Sequence, residues 1–215
     1  MKLRRICGLD EAGRGALAGQ LVAAAIILPC SDKTISKKAG FKLRDGKLLN
    51  PNQRKKIYSI LKELNAEISV EVISTRCINN HGIGWANREI FRRLIKKINA
   101  YQCIVDGNLK LGRIAGKTHK IKSVVDADAT IPEVIAAGIV AKVERDHIMH
   151  ELHKLFPEFG WENNAGYGTR SHILTIQKNN ISRFHRGIYV TTAIKNSFDR
   201  SMEATHPEDQ SHLVD

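Results

Sequence analysis

Apolar residues change their spacing repeatedly along this chain, and each change predicts an element. Residues 4–9 read as a short strand that delivers Asp10 to its end. Residues 13–19, Gly-Arg-Gly-Ala-Leu-Ala-Gly, are too glycine-rich for a helix and suit a loop needing close backbone approach. The apolar, partly β-branched run 21–28 has the character of a buried central strand. Asn50-Pro51 opens a helix, because Asn caps well and Pro is favoured in the first turn; Ile57, Ile60, Leu61 and Leu64 give that helix one apolar face. Alternation through Ile68, Val70 and Val72 predicts a half-exposed strand over 67–74, and helical spacing returns at Ala86, Ile90, Leu94 and Ile98. Brief strands follow at 103–105, before an Asp106-Gly107 turn, and at 121–125. Thr130-Ile131-Pro132-Glu133 has capping-box form and predicts the start of a long helix whose first half, 134–143, is apolar nearly all round and therefore buried. Past His153 the chain is turn-rich, with a short helix near 171–178 and a polar, aperiodic stretch from 201. This order predicts an α/β fold, a mixed β-sheet flanked by helices.

With 215 residues, 42% hydrophobic and 26% charged, the chain has the balance of an ordinary globular protein. No apolar run reaches the roughly 18–20 residues of a bilayer crossing, and the early acids Asp10 and Glu11 interrupt any signal-peptide pattern, so a cytoplasmic protein is expected. Cys7, Cys30, Cys77 and Cys103 lie at no zinc-ligand spacing and read as small hydrophobes, Cys7 and Cys103 within strands. The net charge of +12 and pI near 9.7 favour a polyanionic partner, since phosphate neutralisation releases counterions.

The acids carry the sharpest chemistry. Asp10 and Glu11, Asp106, and the pair Asp126 and Asp128 each fall where a strand ends, and in open α/β sheets such ends converge on one crevice. Singly they have ordinary explanations: Asp106-Gly107 is a common turn pair, and Asp128 suits a helix dipole. Brought together, they would repel unless a hard divalent cation offset them. Mg²⁺ and Mn²⁺ prefer oxygen donors, and paired ions suit phosphodiester cleavage.

Four stretches carry a family resemblance. Gly8-Leu9-Asp10-Glu11-Ala12-Gly13-Arg14-Gly15-Ala16-Leu17-Ala18-Gly19 resembles the opening motif of the ribonuclease HII family, and Val105-Asp106-Gly107-Asn108 its second. Asp128-Ala129-Thr130-Ile131-Pro132 with Ala136-Ala137, Ala141-Lys142-Val143 and Arg145-Asp146 resembles the third; Asn164-Ala165-Gly166-Tyr167-Gly168-Thr169 with His172 resembles the fourth. Together they span residues 4–186 in family order. The resemblance implies an RNase H-like fold with a small C-terminal helical substrate-binding region; with the change of character past His153 and the aperiodic end, the chain divides into 1–153 as catalytic domain, 154–200 as that region and 201–215 as a mobile polar tail. It implies Asp10, Glu11, Asp106 and Asp128 as catalytic and metal-binding residues with Mn²⁺ or Mg²⁺, Asp126 competing for the fourth place. It further implies that Gly13, Arg14, Gly15 and Tyr167 read the junction between a ribonucleotide and the next deoxynucleotide, with Lys47 on the backbone and Lys142, Arg170 and His172 as lesser candidates.

The implied activity is two-metal-ion hydrolysis of RNA paired with DNA and incision 5′ to ribonucleotides embedded in duplex DNA, by a monomer with nucleic acid as partner and no readable protein partner. Alternatives are a type III ribonuclease H, against which the intact Gly13-Arg14-Gly15 and Tyr167 argue, and a non-catalytic nucleic-acid binder. Departures from the family pattern fall at Gly46, Gly138, residues 78–87 and Gly187-Ile188-Tyr189. The stripe Arg88, Arg92, Arg93, Lys96 and Lys97 could equally be a plain polar helix face.

Overall fold

The computed structural model describes residues 5–205 other than 113 and 115–119. Its five strands are β1 (Ile6–Ala12), β2 (Leu21–Ile27), β3 (Glu67–Ile73), β4 (Gln102–Asp106) and β5 (Lys120–Val124), in the order β3-β2-β1-β4-β5. β2 runs antiparallel to both β1 and β3, whereas β4 lies between β1 and β5 and runs parallel to each. The sheet is mixed, as the sequence predicts. The helices are α1 (Asp32–Ala39), α2 (Pro51–Glu63), α3 (Thr75–His81), α4 (Ile83–Lys97), α5 (Ala127–Thr130), α6 (Pro132–Leu155), α7 (Trp161–Asn164), α8 (Arg170–Asn179) and α9 (Gly187–Thr205).

Alternation along the strands sorts side chains between two layers. Cys7, Leu9, Leu21, Ala23, Cys103 and Val105 pack against Ile90, Phe91 and Leu94 of α4. Ala24 and Ile26 face the other way, onto Ile57 and Leu61 of α2 and onto Ala136, Ala137 and Val140 of α6. Each large aliphatic side chain so buried contributes roughly 2 kcal/mol. Gly8 brings β1 against α6, since a Cβ there would lie 2.2 Å from the backbone carbon of Glu133. Helix α2 begins as expected: the Asn50 side chain accepts from Gln53 N–H at 2.9 Å and Gln53 Oε1 accepts from Asn50 N–H at 3.0 Å, a reciprocal cap.

The start of the long helix differs from expectation. Asp126 adopts a left-handed φ of 57° and begins the separate single turn α5; Thr130 closes that turn and donates its hydroxyl to Asp126 O at 3.3 Å. Helix α6 then starts at Pro132, capped by Ile131 with no side-chain hydrogen bond, so Thr130 and Glu133 form no capping box. Helices α1, α3 and α9 are ones that the apolar spacing did not suggest. Helix α9 continues five residues into the stretch expected to be mobile, and 206–215 lie outside the described residues.

A third core joins Leu17 and Ala18 to Met149 and Leu152 of α6, to Phe159 and Trp161, and to Ile176 and Val190 of the C-terminal helices. The glycine-rich loop therefore packs against the last third of the chain.

Candidate active site

Parity puts two acids on one face. Leu9 pairs with Val105 across the parallel strands β1 and β4, so Asp10 and Asp106, one residue further, stand side by side on the α6 face. Glu11 follows at the strand end. Asp128, on α5, donates its backbone N–H to Asp106 Oδ1 at 3.2 Å. All four line one cleft of about 330 Å³ together with Gly13, Arg14, Gly15, Lys47, Lys142 and Tyr167. Asp126 is exposed and lies outside it.

Electrostatics follow from this crowding. Burial, reinforced by Glu11, Asp106 and Asp128, holds the Asp10 carboxyl well above the usual carboxylate range. Burial likewise pushes Glu11 up to about 7 against the opposing pull of Arg14, and it raises Asp106. Two cations answer in part. Arg14 Nη1 lies 3.2 Å from Glu11 Oε1, and Lys47 Nζ lies 2.7 Å from Asp128 Oδ2 and 3.9 Å from Asp45 Oδ2.

The donor set suits a hard divalent cation: every candidate ligand is a carboxylate oxygen, and the raised Asp10, Glu11 and Asp106 mark negative charge short of compensation. Among the described residues no three such side chains are drawn into a ready-made cage. A cation held by one or two carboxylates, with water and phosphate completing its shell, needs no such cage.

The lesser candidates divide. Lys142 reaches Asp146 at 2.6 Å and lies 5.9 Å from the centre of the Tyr167 ring. Arg170 is exposed beyond the cleft. His172 is fully buried and cannot grip a backbone; its Nδ1 donates to Tyr167 O at 2.9 Å, and its Nε2 accepts from Trp161 Nε1–H at 3.1 Å. On α4, Arg92 donates to Leu111 O and Arg93 and Lys97 pair with Glu89 and Glu71, away from the cleft.

Sequence reasoning gave no role to two buried arginines. Arg145 of α6 donates to Gln20 O, Ala18 O and Ala165 O, and Arg186 donates to Gly13 O, Arg14 O and Gly19 O. Both are fully buried and neither makes an ion pair among the described residues. Burial and the nearby Arg145 bring Arg186 down to about 10, so it remains charged at neutral pH.

Comparison with known proteins gives this cleft its context. The structure resembles ribonuclease H2 from Pyrococcus horikoshii (TM-score 0.72, 24% identity, covering 89% of this chain and 98% of that one). It also resembles Bst-RNase HIII in complex with Mn²⁺ (TM-score 0.60, 17% identity, covering 93% of this chain and 71% of that one). At such identities the likeness defines the class of fold, an RNase H-like α/β protein. The ribonuclease HII model matches residues 7–192. Ribonuclease HII of Fusobacterium nucleatum is 32% identical over 208 residues, which are 94% of this chain and 93% of that protein. That of Desulfitobacterium hafniense is 35% identical over 187 residues, 84% of this chain and 66% of its own length. The chain belongs to the ribonuclease HII family.

Proposed function

We propose that this protein is a divalent-metal-dependent endoribonuclease that hydrolyses RNA paired with DNA and incises duplex DNA 5′ to an embedded ribonucleotide. The observation carrying this reading is the single cleft shared by four carboxylates, the Gly13-Arg14-Gly15 turn and Tyr167. Family membership supports the substrate class.

In this reading Asp10, Glu11, Asp106 and Asp128 hold Mg²⁺ or Mn²⁺. Such ions, when bound, supply the charge that activates water and steadies the leaving oxygen. The protein's own groups select and orient. Arg14 and Lys47, released from Glu11 and Asp128, turn to phosphate, for which a guanidinium fork is well shaped. Gly15 has no heavy atom within 4 Å of where a Cβ would stand, so a sugar can approach its backbone closely. The 2′-hydroxyl distinguishes RNA from DNA, and backbone amides can read it. Tyr167, 39% exposed with its ring 5.3 Å from the Arg145 guanidinium, is available to stack on the following deoxyribose, where a second 2′-hydroxyl would fit poorly. Water adds to phosphorus as the P–O3′ bond breaks, leaving 3′-hydroxyl and 5′-phosphate ends.

The test is a substrate panel run in Mg²⁺ and in Mn²⁺: duplex DNA with one ribonucleotide, a continuous RNA/DNA hybrid and all-DNA duplex. Cleavage 5′ to the single ribonucleotide, lost in Asp10→Asn, is expected. Cleavage of the hybrid alone would favour the type III alternative, and binding without turnover would favour the non-catalytic one.

A further inference from the structure

Arg186 stands 173 residues from Gly13 in sequence, yet its guanidinium takes both carbonyls of the turn that rims the cleft: Gly13 O at 2.8 Å and Arg14 O at 2.9 Å, through Nη1. Its Nε and Nη2 close on Gly19 O, at the far end of the same loop, at 3.0 and 2.8 Å. A planar trans peptide directs its C=O and its N–H to opposite sides. With the Gly13 and Arg14 carbonyls turned inward to Arg186, the amides sharing those planes, Arg14 N–H and Gly15 N–H, turn outward. Neither amide has an acceptor among the described residues, whereas Ala16, Leu17, Ala18 and Gly19 N–H all donate within the protein. Arg14 and Gly15 are exposed and line the cleft beside Glu11, so these two consecutive donors face solvent and are open to a ligand's acceptors.

We propose that Arg186 is a positioning residue for ribose recognition: from the buried side of the turn, it fixes the Arg14 and Gly15 amides as a pair of outward donors for the 2′-hydroxyl and adjoining phosphate oxygen of the scissile ribonucleotide. Donors held in place before binding cost no reorganisation when the ligand arrives. Only an arginine satisfies the geometry. Five N–H groups in a rigid fork span both ends of the loop, whereas a lysine ammonium is a single point. The three carbonyls explain why a guanidinium without any carboxylate is retained in the interior, since truncating it orphans all three acceptors. Arg145 complements it, holding Ala18 O and Gln20 O from α6, with its Nε close under Gly13: a Cβ at that residue would fall 1.9 Å from it.

This role rests on the ribonucleolytic reading, and the experiment separates the two. Wild type and Arg186→Lys are compared in Mn²⁺ by single-turnover cleavage of a duplex bearing one ribonucleotide, by inhibition with the same duplex in all-DNA form, and by the rise in Tm that Mn²⁺ alone produces. The lysine variant is expected to lose about 100-fold in cleavage rate, the scale on which small misplacements act. Its affinity for all-DNA duplex and its Mn²⁺-induced Tm rise are expected to stay unchanged, because charge, acids and duplex surface remain. An unchanged cleavage rate overturns the role, as does a loss shared equally by DNA affinity and metal response, which marks general disruption. Wild type that cleaves no ribonucleotide-containing duplex sinks the functional reading instead. Should the variant fail to fold, amide exchange in the wild type decides. Arg14 and Gly15 N–H should exchange freely in the free protein and become protected by the ribonucleotide duplex in EDTA, but not by all-DNA duplex. Protection in the free protein, or none with either duplex, overturns the proposal.

Discussion

Gly138 of α6 and Asp10 of β1 share a space that holds no further atom: a Cβ on Gly138 would lie 2.3 Å from Asp10 Oδ2. The carboxylate therefore rests against a helix with no side chain at the point of contact. Gly138, one of the departures from the family pattern, thus marks the place at which sheet and helix close around the first acid. Burial there explains the elevated Asp10 carboxyl, and it gives substitutions at this acid opposite effects on activity and stability.

Asp10→Asn is expected to abolish cleavage by at least about 100-fold while raising Tm by a few degrees in EDTA near pH 8. The folded-state pKa lies above the unfolded value, so the ionised carboxylate costs stability at high pH, and the neutral amide removes that cost. Differential scanning fluorimetry checks it; a fall in Tm would contradict the electrostatic account.

Divalent cation should reverse that order. At about 100 times its dissociation constant, a cation binding only the folded state adds roughly 2.7 kcal/mol. Wild type should therefore gain several degrees in Mn²⁺ or Mg²⁺ relative to EDTA, and Asp106→Asn much less. An equal gain in both proteins would place the cation elsewhere.

The two acids near α5 are separable. Asp128→Asn should lower kcat by about 100-fold, whereas exposed Asp126→Asn should stay within about twofold of wild type. Equal losses would show that the orientation of α5 matters more than which carboxylate enters the cleft.

His185 offers a pH signature. His172 Nδ1 donates to Tyr167 O and its Nε2 already accepts from Trp161, so the 3.2 Å contact between the two Nε2 atoms requires His185 to donate. His185 Nδ1 then accepts from Ser182 N–H at 2.9 Å, and both rings are neutral. Burial, then repulsion from His172, hold His185 down at about 4. A depressed histidine binds fewer protons folded than unfolded, so its contribution to stability falls as pH drops from about 6.5 towards 4. The raised Asp10 and Glu11 act oppositely in part of that window. An NMR titration of the His185 ring therefore isolates the effect, and a midpoint near 6.5 would refute it.

Much of the stretch from β1 to α6 was legible in the sequence because its signals are local. The seven buried residues of β2, the reciprocal cap at Asn50 and the acids at strand ends each follow from a few neighbouring residues. Helix α9 escaped notice because Ile188, Val190, Thr191 and Thr192 are β-branched and weak helix formers, masking the packing positions Tyr189, Val190, Ala193 and Ile194. The Thr130 cap failed because Ile131, which precedes Pro132, is extended: Thr130 ends the separate turn α5, and α6 takes Ile131 as its cap. The burial and the role of Arg145 and Arg186 were unreadable for a different reason. A charged side chain is expected at the surface, and all but one of the carbonyls that draw these two inward belong to a stretch more than a hundred residues away.

That separation has a consequence for synthesis. A growing chain releases all four acids long before residue 186 emerges, so the early sheet can assemble with the rim of its cleft still unbraced. A contact with residue 186 cannot form before that residue is made, and closing so long a loop adds an entropic cost. In the reading proposed above, completion of the last helices becomes the step that readies the cleft to tell ribose from deoxyribose, and a nascent or truncated chain would carry the acids without that means of choice.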